Sequence, residues 1–439
     1  MGALPYIEDH NSLPTPAPER TEQWQGEDVS ETIGGPTDTL DDATVRDFVL
    51  RNLGSAGLEG KSVCVIVPDA TRSCPLPLLL DAIGDALDGR ATAITVLIAL
   101  GTHAAMTPEH LERHLGVRKD MEVRNHEWWD PARLMSVGVI GAERVGDLSE
   151  GRLNQPIDVV VNRAVVEHDV CLVVGPVFPH EVVGFSGGNK YFVPGVAGQE
   201  VIDFSHWLGA LITSSEIIGT RGITPVRALI DDAVGLIPTR RLALCLVVES
   251  GTKRLHAASF GSPEQAWAAC ADVSAEVHVR YLPRPVRRVL SLVPEKYDDM
   301  WTGAKGFYKV EPIVADGGEV VIYAPHITEI AETHPAIAEI GYHCRDYFVK
   351  QWDRFSRYHW GDLAHSTHLR GAGTWDPVEG EKNRVTVTLA TGISEASVRA
   401  VNLNYLDPST VDVADYETDP DTLVVPDAGE VLFRLRHHG

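Results

Sequence analysis

Between Phe178 and Trp207 the chain reads FPHEVVGFSGGNKYFVPGVAGQEVIDFSHW, a stretch dense in groups that can do chemistry. His180 and His206 carry imidazoles that titrate near neutral pH, so each can move a proton or bind a metal. Gly187-Gly188 lets backbone N–H groups approach an anion closely, and Lys190 adds a positive charge beside them. FSGGNK lacks the GxxxxGK[ST] spacing and is not a Walker-type loop. A single Gly-Gly pair or a single histidine is ordinary; the density is what singles this stretch out. Cys171-Leu172-Val173-Val174-Gly175 precedes it, an apolar run of the kind buried in parallel sheets, and ligands of open α/β sheets collect where such strands end.

Two other predicted strand ends carry chemistry. Ser62–Val67 runs into Pro68-Asp69-Ala70-Thr71-Arg72, where a carboxylate can accept from hydroxyls and a guanidinium can fork onto phosphate or carboxylate. Ala93–Leu100 runs into Gly101-Thr102-His103, just before a helix opened by Thr107 as N-cap and Pro108 in the first turn. A histidine there sits where anions are favoured. Taken alone, Asp69 and Arg72 also read as a local surface pair, and His103 as a loop histidine.

PHEVVGFSGGNKYFVPGVAG, GTHAAMTPEH and the Asp69–Arg72 run together resemble the motifs of the nickel-dependent lactate racemase family. The resemblance implies a nickel-pincer nucleotide, a nickel-bearing pyridinium bisthiocarboxylate mononucleotide, held covalently by Lys190. It implies His180 and His103 as paired catalytic acid/bases and His206 as a nickel ligand. It further implies cofactor contacts from Asp69, Ala70, Thr71, Arg72, Gly187 and Gly188. Met300-Trp301-Thr302-Gly303-Ala304-Lys305 matches a substrate-binding segment: Lys305 keeps the family lysine, and Arg72 joins it in countering substrate charge. Thr302 replaces a glutamine, and Trp301 stands where the lactate enzyme has tyrosine. This departure argues for a 2-hydroxy acid other than lactate. Trp352 is matched to a family tryptophan near the substrate. Cofactor-biosynthesis proteins are the implied loading partners.

At 439 residues two domains are the natural expectation. The alternation of strands and helices predicts an α/β fold: a doubly wound, mostly parallel sheet over 1–280, with 1–40 as an irregular surface segment. Strands are expected over 120–127, 157–174 and Leu242–Glu249, and helices over 208–236 and from Ser262 to Ala275. The proline-rich Tyr281–Pro285 is the expected hinge to a smaller α/β domain, 286–439, with strands at Val286–Val293, Glu319–Ala324, Val385–Ala390 and Glu430–Leu435. The active site is expected in the cleft between the two. His343, His359, His365 and His368 lie among Trp352, Trp360 and Trp375 without HExxH or cysteine pairing, so this segment reads as a specificity wall rather than a metal site.

A net charge of −24 argues against nucleic acid or an anionic membrane as partner and requires a local basic pocket for an anionic substrate. The six cysteines show no CxxC spacing and read as reduced core residues. MGALPYIEDHNSLP has neither a basic n-region nor an apolar h-region, and no apolar run approaches the roughly 18 residues that span a bilayer, which predicts a cytoplasmic protein.

The chemistry expected from the resemblance is inversion of a hydroxyl-bearing carbon. One histidine removes the hydroxyl proton while hydride leaves the carbon, and the second histidine serves the return to the other face. Within the family the reaction is also open to C2 epimerisation of a sugar acid. Outside it stand a zinc hydrolase built on His103, His180 and His206, and a cofactor carrier, which needs neither catalytic histidine.

Overall fold

The computed structural model describes residues 30–436 apart from 102, 117 and 119. Its larger sheet has seven strands in the order Glu31–Gly34, Leu255–Gly261, Arg240–Val248, Val170–Pro176, Ser62–Pro68, Ala93–Ala99, Glu122–Asn125. The last five run parallel; Leu255–Gly261 pairs antiparallel with them at one edge, and Glu31–Gly34 pairs antiparallel with Leu255–Gly261 in turn. The central strands Ser62–Pro68 and Val170–Pro176 are apolar without alternation because both faces are covered. Val63, Val65 and Val67 enter one core with Phe48, Leu53, Leu79 and Ile83 from helices Asp42–Ser55 and Leu76–Leu87. Cys64 and Ile66, pointing the other way, enter a second core with Val201, Phe204 and Ile230 from helices Gln199–Ile212 and Pro225–Gly235.

A second sheet of five strands, all parallel, has the order Asn404–Tyr405, Thr386–Thr391, Val314–Ala324, Val286–Leu292, Thr422–Val425. Both expected α/β regions are therefore present. All six cysteines are buried and unpaired. Among the described residues no helix is long and apolar enough to cross a membrane.

Several expectations need correction. Part of the segment 1–40 is ordered: Glu31–Gly34 pairs with Ala257–Phe260, its alternation half-buried on an edge. Residues 1–29 lie outside the described range. Ile157–Asn162 pairs antiparallel with Leu134–Ile140 in a separate two-stranded sheet instead of joining the main sheet, and a short helix, Arg163–Glu167, separates it from Val170–Pro176. Leu432–Leu435 pairs with Val279–Leu282, not with the second sheet, whose edge is Thr422–Val425. The segment expected to be a hinge thus begins as a paired strand. Apolar alternation shows that a segment is a strand, but the partner is set by what lies beside it after folding.

Candidate functional site

The three chemistry-bearing strand ends are neighbours. Ser62–Pro68 lies between Val170–Pro176 and Ala93–Ala99, so the loop holding Asp69 sits between those holding His180 and His103. These loops meet residues of the second sheet's connections around a cavity with about 940 Å³ of empty space, its open mouth included. Asp69, Arg72, His103, His180, Gly187, Lys190, His206, Trp301 and Lys305 all line it.

His103 is held by its Nδ1, which lies 2.5 Å from Asp69 Oδ2. An ionised carboxylate only accepts, so in the neutral ring Nδ1–H donates and Nε2 keeps a lone pair. Thr71 donates to the other oxygen from its backbone N–H (3.2 Å) and hydroxyl (2.7 Å). Burial would raise the Asp69 pKa, but His103 and these hydrogen bonds hold it well below the usual carboxylate range. One Asp69 oxygen thus orients the imidazole and the other is held by Thr71, while the residue itself lines the cavity where the sequence suggested a cofactor contact. Thr71 does not reach the cavity and acts through Asp69, and Ala70 is exposed and does not line it.

His180 has the opposite tautomer. Val182 N–H donates to its Nδ1 at 3.2 Å, so a neutral ring carries its proton on Nε2. Glu181 Oε2 stands 3.4 Å from the same Nδ1, a longer contact from a group that cannot donate. Burial, with Lys190, Arg72 and Lys309 around it, pushes the His180 pKa well below its ordinary value, so the ring is neutral. Lys309, itself buried, donates to the Pro179 carbonyl just before it.

Lys190 sits on the turn Gly188–Tyr191. Gly187 and Gly188 have φ of 88° and 57°, and a Cβ on either would fall within 2.7 Å of Val177 or Trp267 side-chain atoms. Only glycine fits both conformation and space. The turn is clamped from below. Buried Arg227 donates to the carbonyls of Phe185 (2.5 Å) and Gly187 (3.2 Å), and its guanidinium stacks over Trp267 at 4.2 Å. Trp267 Nε1–H donates to the Ser186 carbonyl, and Asn189 bridges Asp231 and Glu264. Gly188 is spent on this packing and does not line the cavity. Arg227 and Trp267 carry no local signal; their sequence distance from the loop hid them.

Burial, reinforced by Arg72, lowers the Lys190 pKa to about 7, leaving a sizeable share of nucleophilic amine at neutral pH. His206 donates Nδ1–H to the Ile202 carbonyl at 2.7 Å, which leaves Nε2 free as a ligand lone pair, and burial lowers its pKa to about 4. Among the described residues, Arg72, Lys190 and Lys305 form no ion pair, an anion cradle in an otherwise acidic protein. The donor set fits a phosphate-bearing, amine-linked cofactor with one histidine metal ligand. It does not fit the zinc alternative: among the described residues no three His, Cys, Asp or Glu side chains are grouped to hold a metal.

From the second sheet's connections, helix Lys305–Tyr308 brings Lys305, whose Nζ lies 5.0 Å over the Tyr297 ring and whose pKa burial lowers to about 8. Trp301 is sandwiched between His334 (3.6 Å, 7°) and His365 (4.0 Å, 12°), which fixes its plane. Thr302 does not line the cavity; its N–H and hydroxyl donate to the carboxylate of Asp299, the N-cap of its helix. Trp352 is also displaced, stacked on Trp207 at 5.4 Å, away from the lining. Helix Trp360–Arg370 contributes His365 and His368, as the histidine-rich wall predicted, whereas His343 and His359 do not line the cavity. Glu181 and Tyr308 are lining residues that sequence reasoning passed over.

Burial also makes the fold sensitive to acid. It lowers the pKa values of His126, His206, His278 and His368 to about 4. Unfolded histidines protonate near pH 6.5, so between about 6.5 and 4 the unfolded chain binds more protons and stability falls as pH falls. Each such histidine contributes up to about 1.4 kcal/mol per pH unit in that window. Urea unfolding midpoints are expected to drop clearly between pH 7 and pH 5; a flat midpoint would contradict the neutral buried imidazoles.

Residues 46–219 match the lactate racemase N-terminal domain. The lactate racemase of Thermoanaerobacterium thermosaccharolyticum is 26% identical over 282 residues, which cover 62% of this chain and 61% of that protein. The lactate racemase of Lactiplantibacillus plantarum is 28% identical over 197 residues, covering 42% and 43%. The chain thus spans less than two thirds of the length of these curated relatives. A crystal structure of a Thermotoga maritima protein is 33% identical, covering 92% of this chain and 100% of that one, with a TM-score of 0.85. The lactate racemase apoprotein from Thermoanaerobacterium thermosaccharolyticum shares the fold at 20% identity and a TM-score of 0.67, over 89% of this chain and 92% of that one.

Proposed function

The chain belongs to the lactate racemase family, and from that premise we propose that it inverts the hydroxyl-bearing carbon of a 2-hydroxy acid, using a nickel-pincer nucleotide. The observation that carries this reading is the pair of imidazoles on one cavity in opposite tautomers, His103 with a free Nε2 lone pair and His180 with Nε2–H. Inversion needs a proton taken from the substrate hydroxyl in one half-reaction and returned in the other, and such a pair is set for both.

Lys190 would hold the nucleotide through its amine, Arg72 would meet its phosphate, and His206 Nε2 would ligate the nickel. When bound, the group supplies a hydride acceptor that spares the enzyme a direct abstraction of a very weakly acidic α-proton. The remaining work is done by the chain. Lys305 counters the substrate carboxylate. His103, oriented by Asp69, removes the hydroxyl proton, and His180 donates one when the oxygen is reformed. Each histidine exchanges roles when the opposite enantiomer enters, as reversibility requires.

The test is interconversion of 2-hydroxy acid enantiomers by nickel-loaded protein in heavy water. Inverted product without deuterium at the α-carbon is expected. Deuterium there would replace hydride transfer by proton abstraction.

A further inference from the structure

Three ring nitrogens in the cavity wall have no partner among the described residues. His365 donates Nε2–H to the Trp301 carbonyl at 3.0 Å, so its Nδ1 holds a lone pair, and nothing donates to it. His368 lies three residues further along the same helix and is only 3% exposed, yet neither of its ring nitrogens is hydrogen-bonded. Both side chains line the cavity. A buried polar atom left unpaired costs about 1–3 kcal/mol, and folded proteins keep few of them. Three on one helix face require a partner that the protein itself does not supply.

The chemistry of that partner follows from the donor and acceptor inventory. A neutral imidazole offers one N–H and one lone pair, and His365 adds a second lone pair. An alcohol hydroxyl donates and accepts at once and can satisfy such a set. A carboxylate or phosphate would leave the lone pairs facing an acceptor, and such anions have Arg72, Lys190 and Lys305 to meet. Nearby Glu181, which Lys309 holds ionised against its burial with a pKa of about 2, also disfavours a second anion here. A methyl group, the C3 of lactate, would satisfy none of the three nitrogens.

We infer that His365 and His368 form a hydroxyl-recognition subsite, and that the substrate is a 2-hydroxy acid with at least one further hydroxyl beyond C2, a polyhydroxylated acid of the sugar-acid class. The inference rests on the racemase reading of the same cavity. A site built to bond a hydroxyl rejects the analogue that lacks it strongly, up to about 10⁴-fold and beyond in enclosed sites.

Lactate and glycerate share a carbon skeleton and differ by one hydroxyl, so they isolate the subsite; 2,3,4-trihydroxybutanoate extends the series. With nickel-loaded enzyme, kcat/KM for the hydroxylated acids is expected to exceed that for lactate by about 100-fold or more. His368→Leu should cut that ratio at least about tenfold, whereas His368→Asn, which keeps a donor and an acceptor, should retain most of it. In apoprotein, glycerate but not lactate should shift the His368 ring C–H resonances. Lactate inverted as fast as the hydroxylated acids, or an unchanged ratio in His368→Leu, overturns the subsite while the racemase reading stands. Loaded protein that inverts no 2-hydroxy acid overturns that reading, and the subsite falls with it.

Discussion

Lys190→Ala protein, made in cells that synthesise the nickel-pincer nucleotide, is expected to show the bare polypeptide mass, no retained nickel and no racemisation above background. Wild-type protein from the same cells should carry a covalent adduct with nickel. The expectation rests on an amine whose pKa burial lowers to about 7, on a turn that two positive-φ glycines and the Arg227–Trp267 clamp hold rigid. Only the free amine is a nucleophile, so the depressed pKa raises the reactive fraction at neutral pH by orders of magnitude over an exposed lysine. Lys190→Arg keeps the charge but supplies no free amine, and should fail in the same way. An unmodified, nickel-free wild type from cells that load a known racemase would remove the cofactor from the proposal. The fold and the histidine pair would then need another chemistry.

Asp69→Asn is the second large effect expected. Asp69 touches neither substrate nor nickel in the proposed cycle; it is a positioning residue that holds the His103 Nδ1 proton and so leaves Nε2 basic. An asparagine can turn its NH₂ toward Nδ1, which stabilises the wrong tautomer, and such a change in an oriented histidine costs about 10³- to 10⁴-fold in kcat. KM and nickel content should change little, because Arg72, Lys305 and His206 are untouched. His103→Ala should be about as slow, and the double variant little worse than either alone, since the two residues act as one unit. A normal kcat in Asp69→Asn, or effects that simply multiply in the double variant, would show that the short Asp69–His103 contact has no part in the chemistry.

Much of this protein was legible in its sequence because the chemistry is carried by short loops following apolar strands. The glycine pair, Lys190, His180 and His206 fall within one turn-and-helix stretch, and their spacing alone brings them near one strand end. The parallel sheet was legible for a similar reason: Val63–Val67 and Val170–Val174 are apolar without alternation, which only a sheet covered on both faces produces. Strand partnership was not. Leu432–Leu435 and Ile157–Asn162 carry strand patterns that fit several neighbours, and pairing is settled by packing across long sequence distances.

The same division runs through the site. Residue type and spacing determined which side chains could act, and the resemblance in three motifs supplied roles for them. Tertiary structure decided what each is bound to. Asp69 became the hydrogen-bond partner of His103 because Ser62–Pro68 lies beside Ala93–Ala99. Thr302 and Trp352, adjacent to the chemistry by motif, are engaged by the helix-capping Asp299 and by a tryptophan stack. His365 and His368 came to the cavity, with nitrogens left open, through the placement of one helix of the second half. Hydrogen bonds depend on distances of a few tenths of an ångström and on angle, and those are properties of the folded chain, not of the order of its residues.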